Sequence, residues 1–137
     1  LGVHAIVIFP AANSPHSLRP EKITRWEKIA QEAAKQCGRV NPAKISIGSF
    51  ETAVKEAITR QTFYLSQHAQ ETIVYAGKML TQSKEISLLV GPEGGWSELE
   101  QEHLISSKVQ PLLLSRFVLR SDTAAIAALS QLNLFLS

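Results

Sequence analysis

A glycine-rich segment, GPEGGW at 91–96, has the residue types of a ligand-binding loop. Gly94 and Gly95 can adopt backbone angles closed to other residues, so this loop can bring its amide groups close to a ligand. The segment lacks the Gly-Lys-Ser/Thr ending of a P-loop and the G-x-G-x-x-G spacing of dinucleotide-binding folds. It also carries no Lys or Arg. These features favour a neutral or cationic small molecule over a polyphosphate, with a ligand-free strand-to-helix turn as the alternative.

A second segment, LSRFVLRSDT at 114–123, places two arginines around an apolar trio. In a functional interpretation, Arg120 contacts a phosphate or a base, and Asp122 is its polar partner. In the alternative, Asp122 near the start of a helix complements the helix dipole and helps to cap it.

Several other kinds of site are disfavoured by the composition. Cys37 is the single cysteine of 137 residues, so no internal disulfide or cysteine-based zinc site is expected, and we interpret Cys37 as a small buried apolar residue. The four histidines show no ligand spacing, so no metal site is predicted. No apolar run approaches the ~20 residues of a membrane span, and the default location is the reducing cytoplasm. A net charge of +2 permits a nucleic-acid partner without requiring one.

The elements that must position these segments alternate between strands and helices. The clearest helix is 20–37, with Ile23, Trp26, Ala30, Ala33 and Cys37 on one apolar face and Gly38 as a left-handed cap. Residues 86–90 (ISLLV) suggest a strand buried on both faces, and Ser97 and Glu100 form a capping box. The stretch 72–80 is ambiguous between a strand and a turn. The remaining predictions are strands at 3–9, 44–47, 62–66 and 110–114 and helices at 50–59, 97–107 and 121–135.

Such alternation predicts an α/β fold with a mostly parallel sheet, in which ligands bind beyond the carboxyl ends of the strands. The two loops in question follow Val90 and Leu114. The length suits one domain, 1–137. Because the chain starts at Leu1 and runs straight into a strand, we expect a fragment of a longer protein.

Three segments together resemble one family. LLVGPEGGWSELE (88–100), VLRSDTAAIAAL (118–129) and RWEKIAQEAAKQCGR (25–39) are similar, in this order, to motifs of the RsmE family of ribosomal RNA methyltransferases. That family methylates N3 of a uridine in the 16S rRNA of the small ribosomal subunit. The resemblance implies a SPOUT-type α/β fold with a C-terminal deep trefoil knot, S-adenosylmethionine as methyl donor, and a homodimer. It also implies that a PUA-like RNA-binding domain, which usually precedes this domain, is absent from the chain.

The resemblance also implies a set of cofactor-binding residues: Leu65, Ser66, Val90, Gly91, Pro92, Glu93, Gly94, Gly95, Leu113, Leu114, Ser115, Val118, Leu119, Arg120 and Thr123. For the reaction, we assign Arg120 to stabilising negative charge on a base or phosphate, and Asp122 or Glu93 to accepting the N3 proton. The sequence departs from the family at 115–117, where Ser-Arg-Phe replaces a frequent Gly-Pro-Arg. Residues 66–68 match only loosely a loop that usually contains His-Pro.

Contact with RNA would begin electrostatically, through basic residues in and around the first helix: Arg19, Lys22, Arg25, Lys28 and Arg39. An ordinary solvated helix face is the alternative. Two other functions stay open at this point. One is a non-catalytic RNA-binding or dimerisation fragment, and the other is an unrelated α/β enzyme acting on a small molecule.

Overall fold

The structure is a computed structural model that describes residues 1–80 and 85–136. It divides into two compact units, which are described separately. The N-terminal unit comprises Gly2–Pro10 and His16–Ala53. The C-terminal unit comprises Leu1, Ala11–Pro15 and the described residues from Val54 onward.

The N-terminal unit is built on two parallel strands, β1 (Ala5–Ile8) and β2 (Lys44–Ile47). Between them lies helix α1 (Ile23–Gln36), which follows a single 3-10 turn at Pro20–Lys22. Helix α2 (Phe50–Ala57) begins after β2. Pro20 occupies the first turn, where its missing N–H leaves no helical bond unmade.

The buried face of α1 differs from the predicted one at its C-terminal end. Ile23, Trp26 and Ala30 are half-buried as predicted, but Ala33 is exposed and Ala34 is buried. A period of 3.6 residues carried on from Ile23 reaches position 34 rather than 33, which explains the shift.

The end of α1 corrects one prediction and confirms another. Cys37 is exposed, so its interpretation as a buried apolar residue was wrong: the helix face has already turned away from it. Gly38 adopts φ +73°, and the Arg39 N–H donates to the Ala34 carbonyl at 2.8 Å, which is the predicted left-handed cap. The Arg39 guanidinium donates to the Val3 carbonyl at 2.7 Å, so Arg39 is less free to meet a phosphate than the exposed Arg19, Lys22, Arg25 and Lys28.

The C-terminal unit is built on a three-stranded parallel sheet. Its strands are β3 (Gln61–Leu65), β4 (Ile86–Leu89) and β5 (Gln110–Leu112), in the order β4-β3-β5. The prediction that 86–90 is buried on both faces was wrong, because Ile86, Ser87 and Leu88 are only half-buried and Leu89 is the buried residue of β4. The central strand β3 holds the fully buried Phe63 and the buried Tyr64, and burial raises the pKa of the Tyr64 hydroxyl.

Two helices cover the core of this sheet. Both alternatives predicted for 72–80, a strand and a turn, were wrong, because helix α3 (Ile73–Met79) occupies this stretch. Ile73, Ala76 and Leu80 recur at helical spacing and are all buried. Helix α5 (Ser121–Leu136) contributes Ala128 and Leu132 to the same cluster. Gly77 is needed where the helices meet, because a Cβ there would lie 2.5 Å from the Phe135 ring.

Helix α4 (Glu98–Ser106) begins at the predicted capping box. Overall, the strands are parallel and flanked by helices, which confirms the predicted α/β class. Within residues 1–80 and 85–136, none of the helices is long and apolar enough to cross a bilayer.

Candidate functional site

A cavity of about 300 Å³ lies in the C-terminal unit, where β3, β4 and β5 reach their carboxyl ends. This volume lies at the lower end of the range for small-molecule sites, about 300–1,000 Å³. Three segments and part of two helices line it: Leu65, Ser66, Gln67, His68, Val90, Gly91, Pro92, Glu93, Gly94, Gly95, Trp96, Gln101, Leu114, Ser115, Phe117, Val118, Leu119, Ser121 and Ala124. Parallel strands deliver their following loops to one edge of a sheet, so this location follows from the topology.

Residues 91–95, which we call the glycine loop, are held against an indole. Trp96 is 8% exposed, and its Nε1–H donates to the Leu65 carbonyl at 3.0 Å. A Cβ on Gly91 would lie 2.8 Å from the Trp96 ring, so a larger residue at 91 would displace the ring or the loop. Gly95 adopts φ +77°, which favours glycine.

The glycine loop is also held by residues 11–15. The Asn13 side-chain amide donates to the carbonyls of Gly94, at 3.3 Å, and Gly95, at 3.1 Å. The Glu100 carboxylate, on a residue 8% exposed, accepts the Ala12 N–H at 2.8 Å and the Ser97 N–H at 2.9 Å. One buried carboxylate therefore joins 11–15 to the start of α4, directly after the glycine loop.

Residues 114–120, which we call the arginine loop, are more exposed. Arg120 Nε lies 3.7 Å from Glu93 Oε1 and 3.6 Å from Asp122 Oδ1, and all three side chains are more than half exposed. Such pairs contribute at most about 1 kcal/mol to folding. Directly after this loop, the Ser121 hydroxyl donates to the Gly91 carbonyl at 3.0 Å, so the two loops are joined across the cavity.

The structure brings together most of the predicted site residues. Gly94 and Leu119 line the same cavity, as the proposed two-loop site requires. Twelve of the fifteen predicted cofactor residues line it: Leu65, Ser66, Val90, Gly91, Pro92, Glu93, Gly94, Gly95, Leu114, Ser115, Val118 and Leu119. Leu113, Arg120 and Thr123 do not. Of the predicted catalytic residues, Glu93 lines the cavity, whereas Arg120 and Asp122 lie beside it through their ion pairs.

Asp122 also fills the role given by its alternative interpretation. Its Oδ1 accepts the Thr123 N–H at 2.8 Å in the first turn of α5. The capping interaction and the ion pair with Arg120 are therefore both present, and both involve Asp122 Oδ1.

Several lining residues were not predicted. Gln67 and His68 belong to the loop whose match to the family was loose, and the closeness of Trp96 to the glycine loop in the sequence was the available signal for its role. Within 1–80 and 85–136, Glu93 is the one acidic side chain that lines the cavity, and no Lys or Arg of these residues lines it. Among the parts of the chain that the structure describes, no cluster of His, Cys, Asp or Glu is arranged to hold a metal ion.

The sequence profile of the RNA methyltransferase domain family matches residues 1–133. This chain belongs to that family. Its curated relatives include the Ribosomal RNA small subunit methyltransferase E of Synechocystis, 34% identical over 84% of this chain and 39% of the relative. This confirms the predicted membership in the RsmE family. The chain spans about half the length of the curated relatives that it matches.

Two solved structures match the fold and carry a ligand. A Legionella pneumophila methyltransferase in complex with S-adenosylmethionine superposes with a TM-score of 0.87 and 29% identity, over 97% of this chain and 56% of that one. The Ribosomal RNA small subunit methyltransferase E of Neisseria gonorrhoeae, bound to S-adenosylmethionine, gives a TM-score of 0.71 and 25% identity, over 93% and 54%.

The residues that line the cavity fit a ligand of this chemistry. Leu65, Leu114 and Leu119 supply apolar surface for a purine ring, and the backbone of the glycine loop supplies polar groups. Glu93 provides a negative charge, and no Lys or Arg among the described lining residues opposes it, which suits a positively charged sulfonium compound.

Proposed function

We propose that this chain is the catalytic domain of an S-adenosylmethionine-dependent methyltransferase that modifies N3 of a uridine in the 16S rRNA of the small ribosomal subunit. The observation that carries the proposal is the single cavity shared by the glycine and arginine loops. Membership in the RNA methyltransferase domain family and the bound S-adenosylmethionine of two relatives support it.

When bound, S-adenosylmethionine supplies an electrophilic methyl group for in-line transfer. The chain's role is to hold the two reactants close together and correctly oriented. This effect lowers a reaction barrier by about 7–11 kcal/mol in favourable cases. The glycine loop suits this task because the Trp96 indole, Asn13 and Glu100 fix its backbone before any ligand binds. Leu114, Val118 and Leu119 complete the wall on the opposite side.

Side chains at the cavity are assigned to two tasks, which are accepting a proton from the base and stabilising negative charge on it. Uridine N3 carries a proton that must leave as the methyl group arrives. Glu93 is favoured over Asp122 as the acceptor, because Glu93 lines the cavity. The Arg120 guanidinium, adjacent to Glu93, stabilises negative charge as it develops on the base.

The trefoil knot is part of the same proposal. The Ser66 N–H donates to the Leu112 carbonyl at 3.0 Å, and the Leu113 N–H donates to the Glu71 carbonyl at 2.7 Å. The chain at 112–113 is therefore bonded on one side to the end of β3 and on the other to the residues before α3. The two ends of the loop 66–71 thus lie on either side of this segment, and we propose that the segment passes through that loop.

The partners of the whole protein are also proposals. We propose that it acts in the cytoplasm as a homodimer, with an RNA-binding domain outside this chain. Exposed Arg19, Lys22, Arg25 and Lys28 support an electrostatic contact with RNA. The affinity of the chain for RNA should therefore fall with added salt, and an affinity independent of salt would remove this contact from the proposal.

Calorimetry with S-adenosylmethionine tests the cofactor. We expect the chain to bind it, and Ala124→Phe, which adds a ring inside the cavity, to abolish binding. Ala33→Phe is the matched control, since Ala33 is an exposed helical alanine on α1. Absence of binding by the unmodified chain would overturn the proposal.

Methyl transfer to small ribosomal subunits that lack the modification tests the reaction, with nuclease digestion and mass spectrometry to locate the methyl group. We expect 3-methyluridine. Methylation at another atom would overturn the assignment of N3, and cofactor binding without any transfer would favour a non-catalytic fragment.

A further inference from the structure

Phe117 and Val118 line the cavity and are nevertheless 77% and 71% exposed. A side chain can satisfy both statements only at the mouth of the cavity. Large apolar groups exposed at the mouth of a concave site mark a ligand contact more often than an isolated surface residue does. The Phe117 ring is the largest such group at this mouth.

The backbone that carries this ring is fixed by the loop itself. The Phe117 N–H donates to the Ser115 hydroxyl at 3.0 Å, a local turn that sets the direction of the chain at 116–117. Immediately after the loop, the Ser121 hydroxyl ties the chain to the Gly91 carbonyl. The ring is therefore exposed on a loop that has its own internal turn and is tied to the glycine loop just after its last residue.

The charge beside the ring points to the class of ligand. The side chain of Arg116 is exposed and, among the residues that the structure describes, forms no ion pair, whereas Arg120 lies near two carboxylates. Among the lining residues that the structure describes, none is a Lys or an Arg. Arg116 is not a lining residue, but it directly precedes Phe117 in the chain, so its charge lies next to that residue on the exposed part of the arginine loop. An exposed aromatic ring next to a cation is the arrangement by which proteins hold single-stranded nucleic acids, with a base on the ring and a phosphate on the cation.

We propose that Phe117 stacks on a base of single-stranded RNA at the mouth of the cavity and that Arg116 contacts a neighbouring phosphate. This inference rests on the proposed function and adds a substrate subsite to it.

The test compares substitutions at one position. Binding of a fluorescently labelled twelve-residue oligouridylate is measured by anisotropy at low salt, with the full chain saturated with S-adenosylhomocysteine. Phe117→Leu keeps apolar bulk but removes the ring, and we expect affinity to fall about tenfold, within the range for base–aromatic stacking. Phe117→Tyr keeps the ring and should stay within about twofold. Val40→Ala, at a site 94% exposed in the N-terminal unit, is the control and should not change binding.

Arg116 gives an independent readout. Arg116→Ala should weaken oligouridylate binding and lower the slope of log affinity against log salt concentration by about 0.7, the value for one phosphate of a single strand. Arg116→Lys should restore the slope, because it keeps the charge.

Four results would contradict the proposed stacking of Phe117 on a base. Equal oligouridylate affinity of Phe117→Leu and the unmodified chain would overturn stacking, as would absence of binding by the unmodified chain. A parallel loss of S-adenosylmethionine affinity in Phe117→Leu would overturn it in favour of contact with the cofactor. A changed oligomeric state on sedimentation would place the ring between two copies instead. Failure of the proposed function is distinguishable, because in that case the unmodified chain does not bind S-adenosylmethionine.

Discussion

The glycine loop and the arginine loop line one cavity but are held in opposite ways. The glycine loop packs on a buried indole and is bonded to residues 11–15 through Asn13, with the buried carboxylate of Glu100 beside it. The arginine loop is held by its own Ser115 turn and by exposed ion pairs. One wall is therefore fixed before binding, whereas the other keeps its side chains in solvent.

This difference indicates that the glycine loop binds the cofactor and that the arginine loop meets the RNA substrate. A small cofactor is bound tightly when the groups that contact it need no reorganisation. A large RNA substrate must approach through solvent and meet side chains that are still accessible. Substitutions in the glycine loop and its supports should accordingly reduce stability and cofactor affinity. Substitutions in the arginine loop should reduce turnover or RNA binding and leave stability nearly unchanged.

The largest expected effect is on turnover, from Arg120→Ala. Removing a group that stabilises charge in the transition state costs about 10²–10³-fold in rate. S-adenosylmethionine affinity should stay within tenfold, and the urea midpoint should hardly move, because the Arg120 ion pairs are exposed. Single-turnover methylation, calorimetry and urea unfolding measure the three quantities.

Arg60→Ala is the matched control, because Arg60 forms an exposed pair with Glu85 at 3.3 Å. It should leave turnover unchanged. If Arg120→Ala lowered stability or cofactor binding more than turnover, the assignment of Arg120 to the reaction would be wrong.

Glu100→Gln should produce the largest loss of stability. The amide replaces one carboxylate oxygen and points a donor at a backbone N–H, so one bond to a charged acceptor is lost, at a cost of about 1.5–3 kcal/mol. Urea unfolding measures the loss, and calorimetry should show weaker cofactor binding. Glu102→Gln, at an exposed position on the same helix, should change neither. Equal effects of the two substitutions would contradict the role of Glu100.

Adding one methyl group to each wall of the cavity, by Gly91→Ala and by Val118→Ile, compares how much each wall tolerates extra volume. The new Cβ meets the Trp96 ring at 2.8 Å, and overpacking of this kind costs about 1–3 kcal/mol. Val118→Ile adds a methyl group to the exposed wall and should stay within about 0.5 kcal/mol. Urea unfolding of both variants checks the contrast, and similar losses would show that the two loops are equally constrained.

Asn13→Asp should give the smallest effect. The substitution is nearly isosteric but places a carboxylate opposite the Gly94 and Gly95 carbonyls, at a cost of about 1 kcal/mol. Cofactor affinity measured by calorimetry should fall several-fold. Asn41→Asp, at an exposed position of the N-terminal unit, makes the same change in charge and should leave affinity unaltered.

Much of the fold could be predicted from local patterns. The capping box at Ser97 and Glu100, Gly38 after α1, and Pro20 before it all act through neighbours in sequence, so element ends were predicted to within a few residues. The position of the two loops followed from parallel pairing. The error at 86–90 concerns burial, which depends on the elements that pack on a strand and not only on the strand's own residues.

The long-range contacts that support the site had no local signal. Asn13 and Glu100 act on residues about eighty positions away in sequence, and no periodicity or motif connects them. Helix α3 was ambiguous because β-branched residues at 73–74 favour a strand, whereas burial of Ala76 and Leu80 against α5 decides for a helix. Tertiary packing overrides local propensity at such positions.

Because β3 pairs with strands that come later in the chain, the cavity forms only at a late stage of folding. Its walls meet only when Phe63 has found both Leu88 and Gln110, and such non-local pairings form late and slowly during folding. A nascent or partly folded chain therefore has no pocket to fill. A ligand of the cavity selects molecules that have completed folding, and raising its concentration should shift the unfolding equilibrium toward them.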